Sequence, residues 1–207
     1  MGERLTTDVS RVVVWPSLTA LLAACVAACH YVPPNMVAQP ANVAQSQETG
    51  RFKNDIVSVA PVARPNPSVG EVLEALNGAP PVSAPMFQQA LVDSLRNASI
   101  FADVQRGTDS RYDGFAQPTP RGGARYLLNA KIIKQDEGGY GATVEVQYAL
   151  IDTATGHSLW SDDLASSYQY PASVHAFFMP RQADTEALWH AFRQNIEAMI
   201  MKVAALR

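Results

Sequence analysis

Two cysteines are all that the 207 residues contain, and both, Cys25 and Cys29, fall before residue 30. No disulfide can staple the rest of the chain, which must hold itself together by its core. Charge is sparse as well. Asp, Glu, Lys and Arg make up 17% of the residues and balance to a net −3, with no basic field. That excludes nucleic-acid binding driven by phosphate neutralisation. No HExxH, CxxC, Walker or GxSxG pattern occurs, so the motifs of common metal, nucleotide and serine chemistry are missing. What is present is an apolar fraction of 47%, too high for a wholly disordered chain. The length suits one domain with additional segments.

The first segment reads as an address. Arg4 and Arg11 form a short basic region, followed by an uncharged apolar stretch from Val12 to Ala24. This has the length of a signal-peptide core and is shorter than the roughly 20 residues that span a bilayer. Leu22-Ala23-Ala24-Cys25 looks like a bacterial lipobox, in which Leu and two small residues precede a nucleophilic thiol. Val26-Ala27-Ala28-Cys29 is a weaker second match. Cys25 is the expected lipidation site, with Cys29 as the alternative. The expected covalent group is a diacylglycerol and an N-acyl chain on that cysteine, and no other cofactor and no metal is expected. Because Val26 or His30 follows, and not Asp, sorting by the enterobacterial pattern favours the outer membrane. Residues 1–24 are thus expected to be a lipoprotein signal peptide. Their removal takes two basic and two acidic residues and leaves the net charge at −3.

Residues 25–54 carry Pro33, Pro34, Pro40 and many Asn and Gln with little apolar period. They read as an acylated N-terminus and flexible tether, of which residues 30–54 reach about 80 Å if extended, or as a loop packed on the domain. A periplasmic domain is expected over residues 55–207. In it, Ile56–Val62 reads as a strand, and Val69, Val72, Leu73 and Leu76 as a short helix. Ser83 and Pro85 start a second helix with Phe87, Ala90, Leu91, Leu95 and Ala98 on its apolar face and Gln88, Gln89, Asp93 and Arg96 opposite. Phe101–Val104 reads as a short strand and residues 105–124 as a long loop. Alternation marks strands around 126–132 and 144–150, with a hairpin connection at Gln135–Gly139 and a turn at Asp152–Gly156 before a further strand from His157. Leu188, Phe192, Ile196, Met199, Ile200 and Val203 form the stripe of a helix from about Ala183 to Ala205. The order β-α-α-β-β-β-β-α predicts an α/β (α+β) domain with one mixed, largely antiparallel sheet and flanking helices.

Catalytic candidates are few. Glu186 and His190 lie four apart on the last helix, where a local surface pair is expected in place of a metal site that lacks a third ligand. Asp162 and Asp163 are adjacent on a strand and so point to opposite faces. Arg121 and Arg125 flank a Gly-rich segment that suits an anionic glycan or phosphate, or is simply a loop. Phe177, Phe178 and Met179 stand in a connection. They are either an exposed patch for a partner or a membrane, or a plug beneath the sheet.

Several of these residues carry a resemblance. They are Ala90-Leu91-x-x-Ser94-Leu95 with Ile100-Phe101, then Tyr126-x-Leu128-x-Ala130-x-Ile132. The hairpin Tyr148-x-Leu150-x-Asp152-x-x-Thr155-Gly156-x-x-x-Trp160 and the closing Arg181, Glu186 and Asn195-Ile196 complete the set. The set resembles small Gram-negative envelope lipoproteins whose domain is similar to the N-terminal domain of TolB and to the curli-export lipoprotein CsgG. The resemblance implies a non-enzymatic role and contributes no catalytic residue. The function expected is therefore binding and assembly: an outer-membrane lipoprotein, anchored by its acyl chains, that docks an envelope protein partner of a secretion or other envelope machine. An auxiliary lipoprotein of a lipid or lipopolysaccharide transport system is one alternative, and a cell-wall glycan hydrolase is another.

Overall fold

Alternating apolar residues build the centre of this protein. A computed structural model describes residues 33–38, 51–64, 82–107, 123–171 and 180–206. All lie in the second of the two units into which the chain divides, Val32–Arg207. In chain order come β1 (Ile56–Val59), α1 (Ala84–Ala98), β2 (Asp103–Arg106), β3 (Tyr126–Gly138), β4 (Gly141–Asp152), β5 (Ser158–Gln169) and α2 (Pro180–Ala204). The strands form one sheet in the order β2-β1-β3-β4-β5. β1 runs parallel to both β2 and β3, and the remaining pairs are antiparallel. This is the single mixed sheet with flanking helices that the residue pattern predicts. The short helix expected over residues 69–77 lies outside the described residues.

The helices cover one face. Val57, Val59, Val104, Tyr126, Leu128, Ile132, Val144, Val146, Tyr148 and Leu150 point into a common core with Phe87, Leu91 and Leu95 of α1 and Leu188, Phe192, Ile196 and Ile200 of α2. Phe87 and Phe192 join the helices, with ring centroids 4.7 Å apart. Ser83 caps α1 by accepting from the Met86 amide at 3.3 Å, and Pro85 sits in its first turn, where no intrahelical N–H is needed. The helix closes on Ser99 in the left-handed region. On the other face of the sheet, Ala60, Leu127 and Ile151 form a separate small cluster, with no helical member among the described residues.

Three boundaries and the burial of one residue differ from expectation. The β3–β4 hairpin turns at Gly139-Tyr140, both with positive φ (62° and 63°), and not at 135–139. Two such residues match the right-handed twist of the paired strands. Gln135, Asp136 and Glu137 read as a turn because they are polar, but they extend the paired strands beyond the core. β2 begins two residues later than expected and runs to Arg106. Gln88, placed by its polarity on the solvent face of α1, is buried. Its amide nitrogen donates to the carbonyls of Val59 (3.0 Å) and Gly107 (2.9 Å). α2 begins at Pro180, so Asp184 and Glu186 stand past its first turn. Asp184 instead accepts from the Tyr140 amide at 2.7 Å and secures the hairpin.

Part of the segment read as a tether is packed. Pro34–Met36 form a 3-10 turn against α2, and Met36 has no exposed surface. The Ala38 amide donates to the buried Ser94 hydroxyl of α1 at 2.9 Å. Phe52 is also buried, edge-on to Tyr126 with centroids 5.0 Å apart and tilted against Phe101 at 5.2 Å. Single apolar residues in a polar stretch make no periodic pattern, so neither anchor was visible as core.

Candidate functional site

β5 is the outermost strand on its side of the sheet, and among the described residues no strand pairs with its outer edge. It is twelve residues long, with its first proline neighbour at Pro171. Its inner face is fixed to α2 at several points. Asn195, fully buried on α2, accepts from the Tyr148 hydroxyl at 2.9 Å. The same side chain donates to the Leu164 carbonyl at 2.7 Å and to the Ser166 hydroxyl at 3.3 Å. Lys202 reaches Asp162 at 2.6 Å. Tyr168 stacks on His190 with ring centroids 4.5 Å apart, and Trp160 stacks on Tyr148 at 6.3 Å. The opposite side of β5 is open: Ser161, Asp163, Ala165, Ser167 and Gln169 are exposed. The result is a rigid strand with one free backbone edge, the geometry by which a sheet accepts a further strand.

Strand alternation separates the two aspartates. Asp162 lies across from Tyr148 on the helix side, and Asp163 across from Gln147 on the other. The Lys202 ammonium holds the Asp162 carboxyl below its ordinary range, chiefly through their hydrogen bond. The two carboxylates therefore do not converge on a common point. Burial pushes the Tyr148 phenol well up, so it stays protonated as the donor to Asn195. Tyr170 is raised by its hydrogen bond to Glu186. Glu186 also accepts from Gln182 at 3.1 Å. His190 is lowered, first by burial and then by the Arg193 guanidinium, with Glu186 acting in the opposite sense. Glu186 and His190 thus share a neighbourhood, but the imidazole's close partner is Tyr168. Among the described residues no group of three or more His, Cys, Asp or Glu side chains is placed to hold a metal ion.

Arg125 is half exposed and has ion-pair partners within the fold. Its guanidinium lies 3.4 Å from Asp55 and 4.0 Å from Asp152, and over the Tyr126 ring at 5.3 Å. It ties the start of β1 to the β4–β5 turn. In that turn Asp152 accepts from the Ala154 amide at 2.9 Å and Gly156 adopts φ 72°. Cys25, Cys29, Arg121, Phe177, Phe178 and Met179 lie outside the described residues. Sequence reasoning missed Asn195 as a buried connector, although a lone amide within an apolar helical stripe is the signal that would have found it. It also missed Asn129, which is buried beside Ala149 on the far face with neither side-chain polar atom partnered among the described residues.

A single mixed sheet whose two described helices pack on the same face defines the class of fold. No family model and no curated protein matches the chain by sequence. Among solved structures, protein XCC0632 from Xanthomonas campestris, of the DUF330 family, is similar. It has a TM-score of 0.51 and 12% identity over 82% of this chain and 89% of that one. Lipoprotein GNA1162 from Neisseria meningitidis gives a TM-score of 0.36 and 16% identity, over 62% and 94%. The LpoB C-terminal domain from Escherichia coli gives 0.34 and 13%, over 64% and 98%. The first likeness shows a shared fold. Among the described residues no helix is long and apolar enough to cross a membrane.

Proposed function

We propose that this chain is a non-catalytic lipoprotein of the outer membrane whose periplasmic domain serves as a binding and assembly factor for an envelope machine. The observation that carries the binding role is the long β5 strand, clamped to α2 on its inner face and unpaired along its outer edge among the described residues. Such an edge offers main-chain hydrogen bonds to an extended segment of a partner, with side-chain contacts at alternate positions setting specificity. The anchor rests on the lipobox pattern ending at Cys25, or at Cys29, and would carry the diacylglycerol and N-acyl chain. Holding the domain at the membrane raises the effective concentration of its partner there. The narrower kinship with TolB and the curli-export lipoprotein belongs to the same proposal.

Crosslinking in cells with affinity capture tests both halves. The native protein is compared with Cys25→Ala/Cys29→Ala and with Ala165→Lys/Ser167→Lys, which places two ammonium groups beside the open edge. An envelope partner captured by the native protein is expected to disappear with the lysine variant, whose stability should stay within about 0.5 kcal/mol of native because both positions are exposed. Undiminished capture by the lysine variant removes β5 as the docking edge. Membrane fractionation unchanged by loss of both cysteines removes the lipoprotein reading.

A further inference from the structure

The packed 33–38 segment changes how far a lipid-anchored domain can travel. Pro33 is buried, its carbonyl accepts from the Met36 amide at 2.9 Å, and Met36 and Ala38 are almost wholly enclosed against the helical layer. The Ala38–Ser94 hydrogen bond holds the segment to α1, and the 3-10 turn holds it to α2. We propose that residues 33–38 are a docked strap that fixes the chain to the domain, shortens the lipid leash to the few residues ahead of Pro33, and confines the partner to the surface of the anchoring membrane.

The inference rests on the lipoprotein reading above and adds to it the place where the partner must be met. Eight residue steps separate Cys25 from Pro33, and four separate Cys29 from it. Whatever conformation those residues adopt, full extension limits them to about 28 Å and about 14 Å. A tether from Cys25 through residue 54 would have allowed about 100 Å. A domain of this size has a radius of gyration of about 16 Å. The leash is therefore no longer than the domain is wide, and the domain stays beside its membrane. A partner embedded in that membrane or lying on it is within reach, whereas one held deep in the periplasm is not.

The test uses full-length acylated protein in vesicles containing a dansyl-headgroup lipid, with the native Trp160 and Trp189 as energy-transfer donors. Signal-peptide removal takes away Trp15, which leaves those two. A flexible insert of twelve Gly and Ser residues is placed either between residues 31 and 32, ahead of the strap, or between residues 44 and 45, behind it. Such an insert adds about 20 Å of root-mean-square reach. Ahead of the strap it is expected to lower transfer about two-fold, and behind the strap to leave transfer at the native value. Equal loss from both inserts, or no loss from the first, overturns the strap as the fixed point. Metabolic labelling with palmitate is run on the same preparations. An unlabelled chain overturns the anchor and the leash together, whereas a labelled chain with equal losses overturns the leash alone.

Discussion

A carboxamide shut away from water has to find its partners inside the fold, and Asn195 finds three: the Tyr148 hydroxyl, the Leu164 carbonyl and the Ser166 hydroxyl. Through them α2 is tied to β4 and β5 at one point of the core. Asn195→Ala leaves the buried Tyr148 phenol without its acceptor, at about 1–3 kcal/mol, and removes a second donor from the Leu164 carbonyl, which keeps its place in the β4–β5 ladder, worth about 0.5–1.5 kcal/mol more. The expected loss in urea denaturation is about 3 kcal/mol. Tyr148→Phe/Asn195→Leu, which removes both polar groups of the pair, should lose less than Asn195→Ala does. A second residue-scale effect concerns His190. It stacks on Tyr168 of β5, stands near Arg193 and Glu186 of its own helix, and its buried Nδ1 has no hydrogen-bond partner among the described residues. Its folded-state pKa lies below the ordinary 6.5, so on acidification the unfolded chain takes up the proton first. The full contribution is present above about pH 6.5, declines as pH falls through that value, and levels off below the folded-state pKa. His190→Gln should flatten this part of the profile when the urea midpoint is followed from pH 7.5 to 5.

At the scale of elements, the sequence was readable wherever one face of an element was buried. The alternation of Val144, Val146, Tyr148 and Leu150 showed β4, and the spacing of Leu188, Phe192, Ile196 and Val203 showed α2, because each pattern mirrors a real core face. Readability failed where burial and polarity part company. Gln88 is polar yet buried, since its amide bridges the Val59 carbonyl at the end of β1, which also accepts from the Gly107 amide, and the Gly107 carbonyl just past β2. Gln135–Glu137 are strand residues with little to bury, since β3 and β4 run on past the core to the turn at Tyr140. Of the candidate site, the open edge was legible only as a strand. That β5 lies at the rim follows from β1 joining the sheet beside β3 and not beside β5, a pairing between residues about seventy apart in sequence that no local pattern encodes. Arg125 drew attention as a cation beside glycines, and its neighbours Asp55 and Asp152 were not visible because only the folded chain brings them near.

At the scale of the whole molecule, the strap is the one described segment ahead of Phe52, and it touches both helices. Ordering a residue costs about 1–2 kcal/mol of backbone entropy. Six residues stay docked only because burying Met36, worth about 1.5–3 kcal/mol, acts together with the other enclosed groups and the Ala38–Ser94 hydrogen bond. The net gain is a small surplus, as for most peripheral segments of a marginally stable fold. A chain beginning at residue 39 should therefore be less stable than one beginning at residue 33 by about 1–3 kcal/mol in urea denaturation. Met36→Asp in the longer chain should cost more than the truncation, because its carboxylate must either enter the core or undock residues that remain attached. If the two chains unfold at the same urea concentration, the strap gives the helical layer no support, and Met36 is a passive occupant of its site.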